Sequence, residues 1–534
     1  MGILGFAVLL ARAAHLQIYD AERLKHIAEN QSRAVVRLEP PRGEILDRNG
    51  RRLAVSAPVE SVEVSPEEIE DRRRTARELA RALNRPAREI FERLARGSSP
   101  RWVRRWISPR AAERVRELDL PGIRLRQEHR RYYPNGSLAA AHIGFTGHDG
   151  KGLEGLELLF DRELSGRGAT LPVLRDARGW RLLLSDPQIA VRSARSVRST
   201  LDLGLTDHAA RVLETAVRRY NARRGSLFAM DPRNGDVLAL AEVPSFDPNR
   251  FWDQSPDRFL ARVFVDAFEP GSTLKPFTVA LALEAGVVQP HVEFDCEGGL
   301  WRVRNRLIRD YRPYDVLSVH DILRVSSNIG SAKIANRLGS MRLVDGMRRF
   351  GFGTPTGSLF PGEVEGIVRD VREAQAVERA NLAFGQGLTV TAAQLAAAGS
   401  ILANGGRMVT PRLRLDSPPP EPGKRVISEE TARSVLEMMR AVVESGTGRA
   451  AALPHHAVAG KTGTAQKVVD GRYSNESYVA SFMGIVPVSN PRLVMVVVLD
   501  EPQKIHTGGR VAAPVFREVA NYAIEHLDPQ PEGI

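Results

Sequence analysis

The stretch Glu269-Pro270-Gly271-Ser272-Thr273-Leu274-Lys275 decides how this chain is read. Pro270 and Gly271 punctuate the start of a helical pattern over 277–284. Pro276 is tolerable because it falls near the first turn, where a missing N–H costs no helical bond. Residues three apart share a helix face, so the spacing predicts that the Lys275 amine approaches the Ser272 hydroxyl. A seryl oxygen is a poor nucleophile until a base takes its proton, and a lysine can be that base if burial or a nearby cation keeps it neutral. A helix N-terminus also offers a backbone N–H and a positive dipole end to an oxyanion. Taken alone, Ser-x-x-Lys occurs by chance in most long chains and reads simply as a helix start.

Two further motifs lie downstream. Ser326-Ser327-Asn328 stands 54 residues beyond Ser272, flanked by Leu323, Val325, Ile329 and Ala332. A hydroxyl there could relay a proton to a leaving amine, and an Asn side chain could hold a substrate amide. A polar helix cap reads the same way. Lys461-Thr462-Gly463-Thr464 reads as a strand with a glycine where another backbone must approach closely. A peptide could add along such an edge by main-chain hydrogen bonding. Lys461 would supply charge for a substrate carboxylate and depress the pKa of Lys275; an ordinary strand with one charged residue is the alternative. The motifs are individually weak and jointly strong.

In this order they resemble the signature of penicillin-binding proteins and class A β-lactamases. The resemblance spans essentially the whole chain. Residues 42–54 (RGEILDRNGRRLA) resemble the opening motif of class B penicillin-binding proteins, and Arg131-Tyr132-Tyr133-Pro134, 142–147 and 152–157 resemble the rest of their non-catalytic pedestal. Phe384-Gly385-Gln386-Gly387 with Thr391, Gln394 and 403–406 is similar to their segment after Ser-x-Asn. Residues 478–487 and 513–516 resemble the closing strand and C-terminal helix. Residues 326–330 and Ala480-Ser481-Phe482 with Pro487 look closer to the division-type, FtsI-like transpeptidases than to the elongation type.

The resemblance implies an α/β (α+β) fold: a transpeptidase domain with a five-stranded antiparallel sheet between helices, on a mixed pedestal. It places the pedestal at 20–200, with a helical insert near 65–118, and the transpeptidase domain at 201–534. It implies that Ser272 attacks the D-Ala-D-Ala carbonyl of a stem peptide and that an amine of a neighbouring stem peptide then takes the acyl group. Lys275 would activate Ser272 and Ser326 would relay protons. Asn328 would bind the donor amide, and Lys461, Thr462, Gly463 and Thr464 would form the strand that holds the carboxylate end. The backbone N–H groups of Ser272 and Thr464 would form the oxyanion hole. No metal or organic cofactor is implied. The implied partners are stem peptides, penicillins and other β-lactams, a membrane glycan polymerase of the FtsW-like SEDS family, and other division proteins.

Rival readings differ in identifiable residues. A β-lactamase needs a water-activating carboxylate, and Glu378 with Asn381 has the wrong spacing and flanks for the class A pattern. A D,D-carboxypeptidase shares the first half-reaction, but the pedestal and tail motifs speak against it. A non-catalytic activator or scaffold of the polymerase is compatible with catalysis, and an elongation-type transpeptidase differs only in motif detail.

Bulk properties set the frame. At 534 residues, 43% hydrophobic and 26% charged, the chain has room for two to four domains with real cores. Its single cysteine, Cys296, excludes an internal disulfide framework. Of the net charge of +12, the first 200 residues carry +11, from 37 Lys and Arg against 26 Asp and Glu. That excess suits anionic headgroups, a pyrophosphate-bearing substrate or an acidic partner, but a solvated Arg-rich surface explains it more simply. No nucleic-acid recognition motif accompanies it. Residues 1–11 (MGILGFAVLLA) are uncharged and apolar, about half of the roughly 20-residue helix a bilayer needs. They read as a buried helix start, an interfacial anchor or part of a longer span. The family's single-pass anchor in the inner membrane, with the bulk of the chain periplasmic, makes a partial anchor over 1–19 the expectation.

Local patterns add elements. Asn49-Gly50 and Asn234-Gly235, each between apolar runs, predict hairpins because both turn positions tolerate positive φ. Residues 65–118 read as short amphipathic helices, 152–164 as one short helix, and 201–220 as a long helix with Leu205, Ala209, Val212, Leu213 and Val217 inward.

Overall fold

The computed structural model describes residues 2–25, 33–38, 40–97, 99–166, 168–175, 181–183, 194–304, 306–369, 376–418, 421, 423–469 and 471–527. By their contacts the residues fall into two units that interleave in sequence. One comprises Met1–Glu44, Ser56–Arg130 and Arg162–Ser196; the other comprises Ile45–Val55, Arg131–Asp161 and Val197–Ile534.

The first unit is built on amphipathic helices against strands. Helices Arg72–Leu83, Ala87–Ala95 and Pro109–Glu117 bury Leu79, Ile90, Leu94, Ala112 and Val115 against Val62, Val64, Val103 and Ile107. Asp71 caps the first of them by accepting the N–H groups of Arg73 and Arg74. The insert expected to be helical throughout also holds a strand, Arg101–Ile107. Its Trp-Val-Arg-Arg-Trp-Ile run puts Val103 and Ile107 in the core, and its aromatic and β-branched residues favour extended backbone over helix. Helix Gly2–Ala14 exposes Ile3, Phe6, Leu9 and Leu10. No helix of the described residues is long and apolar enough to cross a membrane.

The second unit is organised by one five-stranded antiparallel sheet. Its strands are β1 (Arg224–Met230), β2 (Val237–Val243), β3 (Ala459–Val469), β4 (Arg472–Val486) and β5 (Leu493–Asp500), in the order β2-β1-β5-β4-β3. The hairpin expected at Asn234-Gly235 joins β1 to β2, with Leu240 opposite Phe228. Gly235 has φ 80°, as that turn demands. The β5 run Leu-Val-Met-Val-Val-Val-Leu is buried on both faces, which is why it lacks a polar alternation.

Helices cover both faces. Helix α1 (Leu203–Arg219) turns in the five apolar residues its sequence marks, against α7 (Ala513–Leu527), whose Phe516 packs on Phe482 of the sheet. The other face carries α2 (Lys275–Glu284), α5 (Ala392–Ala403) and α6 (Glu429–Glu444). Gly399 of α5 approaches the sheet so closely that a Cβ would lie 2.9 Å from the Met483 sulfur. Between them run α3 (Val319–Val325) and α4 (Asn328–Leu338). The hairpin expected at Asn49-Gly50 also forms, with Ile45 opposite Ala54, and Asp47 accepts the Leu203 N–H at the start of α1. The helix expected over 152–164 breaks into Gly155–Leu159 and Asp161–Ser165 at Phe160, whose ψ of 20° leaves the helical range.

Candidate active site

A single 3₁₀ turn, Gly271–Leu274, leads directly into α2, with Pro276 in its first turn. This puts Ser272 half-buried at the helix mouth and Lys275 wholly inside the protein. The backbone before the serine lies against β3: a Cβ on Gly271 would sit 3.3 Å from the Thr464 carbonyl, and one on Gly463 would sit 2.8 Å from the Pro270 carbonyl. The close approach read into Gly463 is thus real, and its partner is the lead-in to Ser272.

The middle motif arrives through a tight junction of two helices. Ser326 ends α3 in the left-handed region, φ 66° and ψ 40°, an uncommon conformation for a residue with a Cβ. Ser327 then caps α4, its Oγ accepting the Gly330 N–H at 2.9 Å. The cap reading of this motif therefore holds for Ser327, while its neighbours on either side face the lysines. Ser326 Oγ lies 3.2 Å from the Lys275 amine and 2.9 Å from the Lys461 amine, bridging them. Asn328 Oδ1 accepts from Lys275 at 2.8 Å, and its Nδ2 donates to the Arg309 carbonyl at 2.8 Å.

Ser272, Lys275, Ser326, Asn328 and Lys461 to Thr464 come together from α2, the α3–α4 junction and β3. One expected contact is not made: the Lys275 amine donates to Ser326 O at 2.6 Å, to Ser326 Oγ and to Asn328 Oδ1, and not to the Ser272 hydroxyl. The Ser272 hydroxyl has no hydrogen-bond partner among the described residues. Three acceptors use all three ammonium protons, so a lone pair is available only after Lys275 loses one.

Burial makes that loss accessible. Lys275 and Lys461 are both 0% exposed. Desolvation brings Lys275 down to about 7, opposed by the more distant Asp310 carboxylate. Desolvation, and after it the charge on Lys275, holds Lys461 well below the ordinary lysine range. The expectation that Lys461 depresses Lys275 is corrected: water exclusion lowers Lys275, and the charge coupling acts in the other direction, from Lys275 onto Lys461.

The rest of β3 is equally anchored. Thr462 Oγ1 shares a hydrogen bond with Thr447 Oγ1 at 3.0 Å, and Thr464 Oγ1 accepts the Gly508 N–H at 3.1 Å. Strand β3 forms one edge of the sheet and pairs only with β4 among the described residues, leaving Thr464 exposed. Asp310 was invisible to sequence reasoning. Its carboxylate accepts the Ser327 hydroxyl at 2.6 Å and the Asn328 and Ile329 N–H groups, fixing the start of α4. Only the folding of the hairpin Leu300–Val303 and Arg306–Arg309 back onto α4 reveals it.

Comparison with known proteins identifies the family. The family described as the penicillin binding protein transpeptidase domain matches residues 225–521, and the penicillin-binding protein dimerisation domain matches residues 37–188. The peptidoglycan D,D-transpeptidase FtsI of Escherichia coli is 36% identical over 542 residues, covering 100% of this chain and 91% of that protein. PenA of Neisseria meningitidis is 35% identical over 533 residues, covering 98% and 91%. Among solved structures, penicillin binding protein 3 of Mycobacterium tuberculosis complexed with aztreonam superposes with a TM-score of 0.72 at 27% identity, covering 93% of this chain and 98% of that one. With the family's transpeptidase domain matched over more than half of this chain and relatives aligned nearly end to end, the chain belongs to the penicillin-binding protein transpeptidase family.

Proposed function

We infer that this chain is a peptidoglycan D,D-transpeptidase of the FtsI type, acting in septal wall synthesis and inhibited by β-lactams. The observation that carries the reading is the pair of buried lysine amines bridged by one hydroxyl, Ser326, next to a serine left without a partner.

In this reading Lys275, once neutral, takes the Ser272 hydroxyl proton as Oγ bonds to the carbonyl carbon of the penultimate D-Ala. The Ser272 and Thr464 N–H groups receive the oxyanion. The peptide C–N bond breaks, Lys275 and Ser326 deliver the proton to the departing D-Ala amine, and a seryl ester remains. An amine from a second stem peptide attacks that ester, forming a new amide and returning the proton to Ser272. Asn328 holds the donor amide. The edge of β3 pairs with the donor peptide, and Lys461, Thr462 and Thr464 bind its carboxylate. A β-lactam follows the same first step, but its leaving nitrogen stays tethered and the ester persists.

The pedestal over 20–200 and the transpeptidase domain over 201–534 belong to this reading. So do a membrane polymerase of the FtsW-like type as partner and a position at the cytoplasmic membrane with the bulk of the chain outside it. The exposed apolar side chains of helix Gly2–Ala14 support the last point.

Intact-protein mass spectrometry after incubation with benzylpenicillin tests the chemistry. One stable adduct mapping to Ser272 and absent from Ser272→Ala is expected. An adduct that forms and rapidly disappears would instead indicate a hydrolase, and no adduct at all would end the reading.

A further inference from the structure

Glu269 heads the nucleophile motif, and its carboxylate ties together three segments around it. Glu269 Oε1 accepts the Gly387 N–H at 2.8 Å and the Tyr473 hydroxyl at 3.1 Å. Two residues before Gly387, the Gly385 carbonyl accepts the Gly271 N–H at 3.0 Å. Both of these glycines are left-handed, at φ 53° and 85°, and a Cβ on Gly385 would strike the Gly271 backbone. Tyr473 lies at the start of β4, beside the turn from β3. A chain of bonds thus runs from the residue before Ser272, through the 385–387 loop and Glu269, to the hairpin that carries Lys461 to Thr464.

This arrangement carries a cost. Glu269 Oε2 is buried and takes no hydrogen bond from any of the described residues. Burial raises the Glu269 pKa, against the pull of the Gly387 and Tyr473 bonds and the charge of Arg369. A carboxylate held by one oxygen with the other stranded is a poor stabiliser, and such an atom in a native fold calls for a functional account.

We propose that Glu269 is a positioning residue for acylation: by bonding Gly387 and Tyr473 at once, it fixes the Gly271–Ser272 backbone against β3. The inference rests on Ser272 being the nucleophile. Misplacing a reacting group slows the chemical step more than it weakens ground-state binding. Glu269→Ala breaks both arms, Tyr473→Phe breaks one, and Glu269→Gln still offers an oxygen to both donors.

The test is stopped-flow acylation by a fluorescent penicillin, resolved into an apparent binding constant and an acylation rate constant, with melting temperatures alongside. Glu269→Ala is expected to lower the rate constant about tenfold or more with little change in the binding constant. Glu269→Gln is expected to recover most of that loss. Tyr473→Phe, at an exposed ring, is expected to slow acylation about threefold at an unchanged melting temperature. A Glu269→Ala rate equal to wild type, or a loss confined to the binding constant, overturns the proposal. If Glu269→Ala does not fold, Tyr473→Phe decides, and an unchanged rate there overturns it. A penicillin adduct persisting in Ser272→Ala would remove the underlying reading instead, whatever Glu269 does.

Discussion

Two places in the catalytic unit bury charge, and they do so in opposite ways. Arg131 and Glu157 are an ion pair at 2.6 Å, 4% and 0% exposed at the side chain, with the Tyr133 hydroxyl also bonded to Glu157 at 3.3 Å. Cation meets anion, and the cluster's work is to hold 131–157 in one shape. Lys275 and Lys461 are buried as deeply, yet Lys275 faces hydroxyl, carbonyl and amide oxygens and Lys461 faces hydroxyl and carbonyl oxygens, with no carboxylate in hydrogen-bonding contact among the described residues. The structural pair is neutralised, whereas burial leaves Lys275 able to give up a proton near 7 and holds Lys461 well below the ordinary lysine range. Under the proposed mechanism, the difference marks where the fold accepts instability in exchange for reactivity.

The sharpest way to break the comparison is to remove one charge from each place. Lys275→Met should cut the rate of penicillin acylation by about 10²–10⁴-fold, the usual scale for losing a general base. Below pH 7 it should not lower the melting temperature, because there it removes an uncompensated buried cation. Arg131→Ala should do the reverse. It strands Glu157 in the interior and should cost about 3–5 kcal/mol in denaturant unfolding. The double change Arg131→Met with Glu157→Leu should restore much of that stability.

A pH series sharpens the contrast further. If neutral Lys275 is the base, the acylation rate should fall about tenfold per pH unit below 7 and level off above it. The same shift bears on stability with a fixed sign. Unfolded Lys275 keeps its proton up to about 10.5 while the folded form loses it near 7, so the unfolded chain binds more protons in that window. This group's contribution to stability therefore grows as pH rises from 7 to 10.5 and is lost as pH falls back through 7. The smallest effect belongs to Asp310→Asn, which keeps an acceptor for α4 but loses the charge. It should cost about 1 kcal/mol in unfolding, with acylation slowed severalfold.

Much of this was legible before any coordinates. Short-range signals carried it: Asn-Gly turns marked two hairpins, the apolar positions of 203–219 marked a helix face, and three motifs in sequence order marked a family. The same signals failed where distance in the chain mattered. Strand Arg101–Ile107 was hidden because its arginines read as a solvated helix face until Val103 and Ile107 met a core. Asp310 carries no local signature at all, since its role exists only once a hairpin folds back on α4. The Lys275 amine was expected on Ser272 from helix spacing, but spacing gives no account of Ser326 and Asn328 arriving from 51 and 53 residues away to compete for it.

The glycine stack at β3 bears on how such an enzyme can evolve under antibiotic pressure. A side chain at Gly463 would strike Ser481 and come within 2.8 Å of the Pro270 carbonyl, and one at Gly508 would drive into the Gly463 backbone. Here backbone touches backbone, so there is no slack for even a methyl group. Under the proposed mechanism, thickening the wall of the site at these positions would displace the backbone that leads into Ser272. Side chains that already meet solvent, such as exposed Thr464 or the outer end of the β3–β4 hairpin, can change without that clash. Selection is thus channelled to the rim by atoms too close together to yield.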